Sequence, residues 1–111
     1  MRFLLILLSP PRTLGFLTVV NLAEAALRRG HEVVIFGTGD GVENLRKSVA
    51  PLLAPHIMRL IEAGVRLLAC RESMRSRGLS AGSDLMENVK VSSLAEMVEL
   101  MDFCDKTIVF D

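Results

Sequence analysis

The chain predicts an α/β fold, a three-layer α/β/α sandwich around a mostly parallel sheet of about five strands, in one domain over residues 1–111. Three observations carry this. The apolar runs FLLILL, EVVIF, VRLLA and KTIVF show no in-out alternation, which suits strands covered on both faces. Stretches with apolar residues at helical spacing separate them, so strands and helices alternate along the whole length, and right-handed crossovers then place helices on the sheet. A chain of 111 residues also buries roughly two-thirds of the surface its unfolded form exposes, enough for a core without staples.

Phe3 to Leu8 is the first strand. Thr13 caps a helix running through about Arg29, with Phe16, Val20, Ala23 and Leu27 at helical spacing, and Gly30 ends it. Glu32 to Phe36 is the second strand. After the glycine-rich GTGDGVENL a helical pattern is interrupted by Pro51 and Pro55, resumes over His56 to Ala63 and closes at Gly64. Val65 to Ala69 is the third strand and delivers Cys70 at its C-terminal end. Arg71 to Arg77 is a short helix ended by Gly78, and Leu79 to Glu87 is loop. Asn88 to Val91 is a weak fourth strand. Ser93 and Glu96 make a capping box for a helix whose Leu94, Met97, Val98 and Met101 form one stripe, and Lys106 to Phe110 is the last strand.

Thirteen basic and thirteen acidic residues cancel, so no net field attracts nucleic acid or an anionic membrane. With no Trp, no Tyr and five scattered Phe, base-stacking platforms are scarce, and direct nucleic-acid binding is not expected. The opening MRFLLILLSPPR imitates a secretion signal. Its apolar run is short, however, and Pro10, Pro11 and Arg12 break it before the small-residue Ala23-Glu24-Ala25, so it reads as a buried strand. Nothing approaches the ~20 apolar residues of a membrane helix. Two cysteines make no disulfide framework, and a cytoplasmic, reducing compartment is expected.

In an open α/β sheet, ligands gather at the carboxyl ends of the strands. Ser9, the GTGDG loop, Cys70 and Ser92 lie at that edge, whereas His31 and Cys104 precede their strands and lie at the other. A strand of five residues spans about 16 Å, far beyond the ~7 Å between Cα atoms that a disulfide allows. Cys70 thus has no intramolecular partner. It opens a helix, where unpaired N–H groups favour negative charge, and Arg71, Arg75 and Arg77 add positive potential, the setting of a reactive thiolate. The competing reading is a small buried hydrophobe.

Spacing excludes several other chemistries. A cysteine phosphatase loop needs Arg six residues after the Cys, and Ser76 stands there. A Cys-His pair needs a base at the same edge. His31 is at the wrong end, where it tightens a helix-to-strand turn, and His56, beside Pro55 at a helix start, reads as solvated or capping. No His and Cys spacing suits a metal. Gly37, Gly39 and Gly41 offer N–H groups to a phosphate, but Val42 replaces the third glycine of the dinucleotide fingerprint. Asp40 is either a ligand or base, or a turn residue. Met97 and Met101 are core or subunit contacts, and the three arginines are by default a solvated helix face.

Taken in order, several segments match a known pattern. MRF opens the first strand, AEAALRRGHE leads into the second, and Asp40-Gly41-Val42 follows it. Gly64-Val65 stands five residues before Cys70, Arg77-Gly78-Leu79 comes next, and SLAEMVELMDFCDKTIVF closes the chain. In these features the chain resembles the DsrE/DsrF-like family nearly end to end. The resemblance implies a sulfurtransferase or persulfide carrier in intracellular sulfur trafficking, with Cys70 accepting sulfane sulfur and passing it on. It implies supporting places for Arg71, Ser73, Arg77, Asp40 and Gly41, with Ser73 standing where some members carry a second cysteine. No cofactor is required. The implied partners are sulfur donor and acceptor proteins and further copies, as a trimer or hexamer, or homologous chains. Two other readings stand beside it: a small-ligand or nucleotide module at the GTGDG edge, and a non-catalytic subunit of a sulfur-relay complex. The loop Leu79 to Glu87 is either a lid over the thiol or an ordinary connection. The relay chemistry needs a sulfur that a visiting thiol can reach.

Overall fold

The first strand already shows why the sheet is central. In a computed structural model, describing the backbone of residues 1–111 and all side chains except those of Ala50 and Leu52, β1 (Arg2–Leu7) is buried on both faces from Leu4 to Leu7. It is flanked by β2 (Glu32–Gly37) and β5 (Lys106–Phe110), and β3 (Arg66–Cys70) and β4 (Lys90–Ser92) extend the β2 side. The order is β4-β3-β2-β1-β5 and every pairing is parallel. Unalternating apolar runs are what parallel strands under two helical layers require.

Successive right-handed crossovers from β1 to β4 put α1 (Leu14–Arg28) and α2 (Ala50–Glu62) on one face. The return from β4 to β5 puts α5 (Leu94–Phe103) on the other. The short helices α3 (Arg71–Ser76) and α4 (Ala81–Asp84) lie between β3 and β4. Thr13 caps α1 by accepting the Phe16 N–H at 3.3 Å, and Gly30, at φ +82°, ends it in a left-handed turn. Phe16, Val19, Val20 and Ala23 are buried against the sheet, where Leu5 and Ile35 share one face and Phe36 belongs to the other.

Four expectations change. Pro51 and Pro55 do not interrupt a helix: α2 is continuous, because Pro51 sits in the first turn where no N–H is needed and Pro55 removes only one internal bond. The fourth strand starts at Lys90, since Asn88 is a left-handed turn residue at φ +71°. The segment Leu79 to Glu87 contains α4 and is pinned by an antiparallel bridge between Arg46 and Leu85, with Leu85 in the core. The α5 stripe is not core: Leu94, Val98 and Met101 are exposed, and only Met97 packs against the interior. No helix among the described residues is long and apolar enough to cross a membrane.

Candidate active site at the end of the third strand

β3 carries Cys70 to the C-terminal edge of the sheet, where its extended backbone (φ −67°, ψ 121°) makes it the residue before α3. Its register partner is Ser92 at the end of β4. Paired residues of parallel strands point to the same face, so thiol and hydroxyl both project toward the α5 side. The third member of the group was not singled out from sequence. Glu72, in the first turn of α3, accepts the Cys70 thiol proton at 3.5 Å. Its position two residues beyond the cysteine was the available signal.

The surroundings of Glu72 favour its charged form. Its own backbone N–H is the main cause, and the Cys70 thiol, the Leu94 N–H at the start of α5 and Arg71 add to it; against partial desolvation they hold its carboxyl below the usual range. The electrostatics therefore differ from expectation. A carboxylate, not a guanidinium, is the polar neighbour of the sulfur, and Arg71 acts on that carboxylate. Cys70 itself is 0% exposed. A sulfur open to a visiting thiol is not what this conformation presents; the group bonded to it is an exposed side chain.

The remaining expected site residues hold the edge together. Arg77 donates to Asp40 at 2.7 Å and approaches Glu43 at 3.4 Å, so its charge is neutralised away from Cys70. The Ser73 hydroxyl accepts the Gly39 N–H at 2.8 Å and lies 3.2 Å from the Thr38 hydroxyl. These contacts dock α3 onto the 3-10 turn Gly39–Leu45. Gly41 is a packing residue: a Cβ there would collide with the Leu7 carbonyl. The turn's N–H groups do not form an open phosphate cradle. Thr38 N–H bonds Leu7, Gly39 N–H bonds Ser73 and Gly41 N–H bonds Thr38, which leaves those donors engaged.

The histidines and Cys104 lie elsewhere. His31 accepts from the Met1 amino nitrogen at 2.9 Å and packs on Phe3, at the opposite edge as expected. His56 lies inside α2 rather than at its start, bonded to Arg59 and edge-on to Phe16. Cys70 and Cys104 are both free, and burial, with Asp105 adding, pushes the Cys104 thiol up. No cluster of three metal-ligating side chains occurs among the described residues.

Against this geometry, the family model described as the DsrE/DsrF-like family matches residues 1–110. The uncharacterized protein MK0008 of Methanopyrus kandleri is 33% identical over 97 residues, covering 84% of this chain and 79% of that one. Among solved structures, the protein of unknown function MTH1491 from Methanobacterium thermoautotrophicum superposes with a TM-score of 0.84 at 19% identity, covering 97% of each chain. The ychN protein from E. coli superposes with a TM-score of 0.83 at 19% identity, covering 99% of this chain and 100% of that one. At those identities the structural likenesses speak to the fold alone.

Proposed function

The chain belongs to the DsrE/DsrF-like family, and from that premise we propose that it is a sulfurtransferase or persulfide carrier in intracellular sulfur trafficking, acting through Cys70. Membership supports a role among sulfur-relay proteins, and the observation that carries the finer reading is the placement of Cys70. It is a free thiol at the carboxyl end of a parallel strand, next to a turn of helix and bonded to one exposed carboxylate.

The chemistry begins by uncovering the sulfur. Glu72 turns away, and Cys70, as thiolate, attacks the outer sulfur of a donor persulfide R–S–SH. A new S–S bond forms at Cys70 as the donor's S–S bond breaks, giving Cys70–S–SH and the donor thiolate R–S⁻. An acceptor thiolate then attacks the terminal sulfur, takes it as A–S–SH and releases the Cys70 thiolate. Neither step changes the overall redox state, and no cofactor enters. Ser73, Arg77, Asp40 and Gly41 support the site indirectly, by docking α3 on the neighbouring turn, and Arg71 holds Glu72. The partners are donor and acceptor proteins in the cytoplasm and further copies of this chain or homologues, the latter seated on the exposed Leu94, Val98 and Met101 flank of α5.

Intact-mass spectrometry after incubation with a sulfane donor tests this. Wild type gains about 32 Da per transferred sulfur, and Cys70→Ser gains none. Equal gain by both proteins rules the proposal out.

A further inference from the structure

The sheet face beneath α5 is only partly covered, for a geometric reason. Five strands spaced about 4.8 Å apart make a face roughly 20 Å wide, and one helix shields about 10 Å of it. The gap over β3 and β4 is a cavity of about 520 Å³, within the range that accepts small ligands. Leu68 forms its floor, and Leu100 and Phe103 of α5 form an apolar wall. Ser92 lines it as well, 2% exposed and with a hydroxyl that has no partner among the described residues. Native proteins seldom bury an unpartnered hydroxyl without a use for it.

Four charges ring the cavity: Arg66 and Lys90 from the strands, Glu96 and Glu99 from α5. None of them forms an ion pair among the described residues, although the two signs stand on opposite walls. Since β3 and β4 run toward Ser92 and α5 runs back from it, Glu96 lies near the Ser92 end and Arg66 at the far end. A simple anion leaves both carboxylates unanswered, and a simple cation leaves Arg66 and Lys90 unanswered. A nucleotide adds phosphate charge against Glu96 and Glu99.

We propose that this cavity binds a small zwitterion of the amino-acid type. Its carboxylate lies on Lys90 and Arg66, its ammonium on Glu96 and Glu99, and its apolar side chain on Leu68, Leu100 and Phe103. The Ser92 hydroxyl oxygen, at the Glu96 end, accepts from the ligand ammonium. Cys70 does not line the cavity, although its register partner Ser92 does.

The test titrates the full chain with L-phenylalanine, N-acetyl-L-phenylalanine and L-phenylalaninamide, following heat by calorimetry and amide shifts by NMR. Phenylalanine suits the aromatic wall, and each analogue lacks one of its two charges. The expected result is saturable binding of phenylalanine, with shifts confined to β3, β4 and α5, and binding of each analogue weaker by at least about threefold, the scale of a partly exposed ion pair. Lys90→Met and Glu99→Gln each weaken phenylalanine by a similar factor. Absence of saturation up to about 10 mM, equal binding of the capped analogues, or shifts centred elsewhere overturns the proposal.

Discussion

Replacing Gly41 with alanine separates a packing role from a ligand-binding one. A Cβ at this position collides with the Leu7 carbonyl oxygen and stands 2.6 Å from its carbon, where ordinary contact begins at 3.4 Å. The end of β1 and the turn must therefore part by at least about 0.8 Å. Two hydrogen bonds cross this junction: Thr38 N–H to Leu7 O at 3.1 Å, and Asn44 Nδ2 to Ser9 O, just beyond β1, at 2.8 Å. Stretching both beyond bonding range costs about 3–5 kcal/mol in total, a large share of the roughly 5–15 kcal/mol that stabilises a domain of this size. In urea, with a slope of about 2 kcal/mol/M, the unfolding midpoint falls by about 2 M. Gly82→Ala is the control, because nothing lies within 4 Å of its Cβ, and a stability change below about 1 kcal/mol is expected there. A Gly41→Ala midpoint within about 0.5 M of wild type refutes the packing argument and reopens a ligand role for the loop.

Three further outcomes follow from the site and its surroundings. Glu72→Gln removes the charge of the group bonded to the Cys70 thiol while keeping its size, so alkylation of Cys70 by iodoacetamide is several-fold faster than in wild type; an unchanged rate means Glu72 does not guard the sulfur. Cys104 binds its proton more tightly in the folded chain than its ordinary value of 9.0, so unfolding stability is intact below that pH and declines as pH rises through the raised folded value. In Cys104→Ala this alkaline loss is reduced, and identical pH profiles from chemical denaturation contradict the assignment. Val98→Glu places a charge at the centre of the exposed flank of Leu94, Val98 and Met101. Light scattering then shows a smaller assembly than wild type, whereas equal masses remove that flank as the contact between copies.

Much of the fold was legible because its signals are local. The unbroken run in β1, the Thr13 and Ser93 caps and the glycine turn at Gly30 each depend on residues a few positions apart, and all three are present in the structure. Proline was misread because its cost depends on position within a helix: Pro51 in the first turn of α2 loses nothing, and the second interruption proved to be one missing bond. Between core and subunit contact, the two readings of Met97 and Met101, helical spacing does not choose, because it reveals a shared flank but not what covers it; Met97 packs inward while Leu94, Val98 and Met101 stay outside one helix on a wide sheet face.

The site divides in the same way. That Cys70 ends β3 follows from the run VRLLA, and its separation from Cys104 follows from strand direction. The partner of Arg77 did not follow, because Asp40 lies 37 residues earlier and meets it only through the docking of α3 on the turn. Positive charges counted along the sequence add potential near the sulfur only if their side chains turn toward it; side-chain direction sends Arg77 to Asp40 and Glu43 and brings Glu72 to the thiol. The cavity over β3 and β4 arises from layer coverage, a property of the whole sheet that no short motif encodes.

The most direct test of the account uses the two cysteines of one chain against each other. After loading with a sulfane donor, trapping persulfides with an alkylating reagent and digesting, peptide mass spectrometry should find the added sulfur on Cys70 and its loss on mixing with an acceptor thiol, with Cys104 unmodified. Sulfur spread equally over both cysteines, or none on Cys70, contradicts the claim that this chain carries sulfur at the end of its third strand.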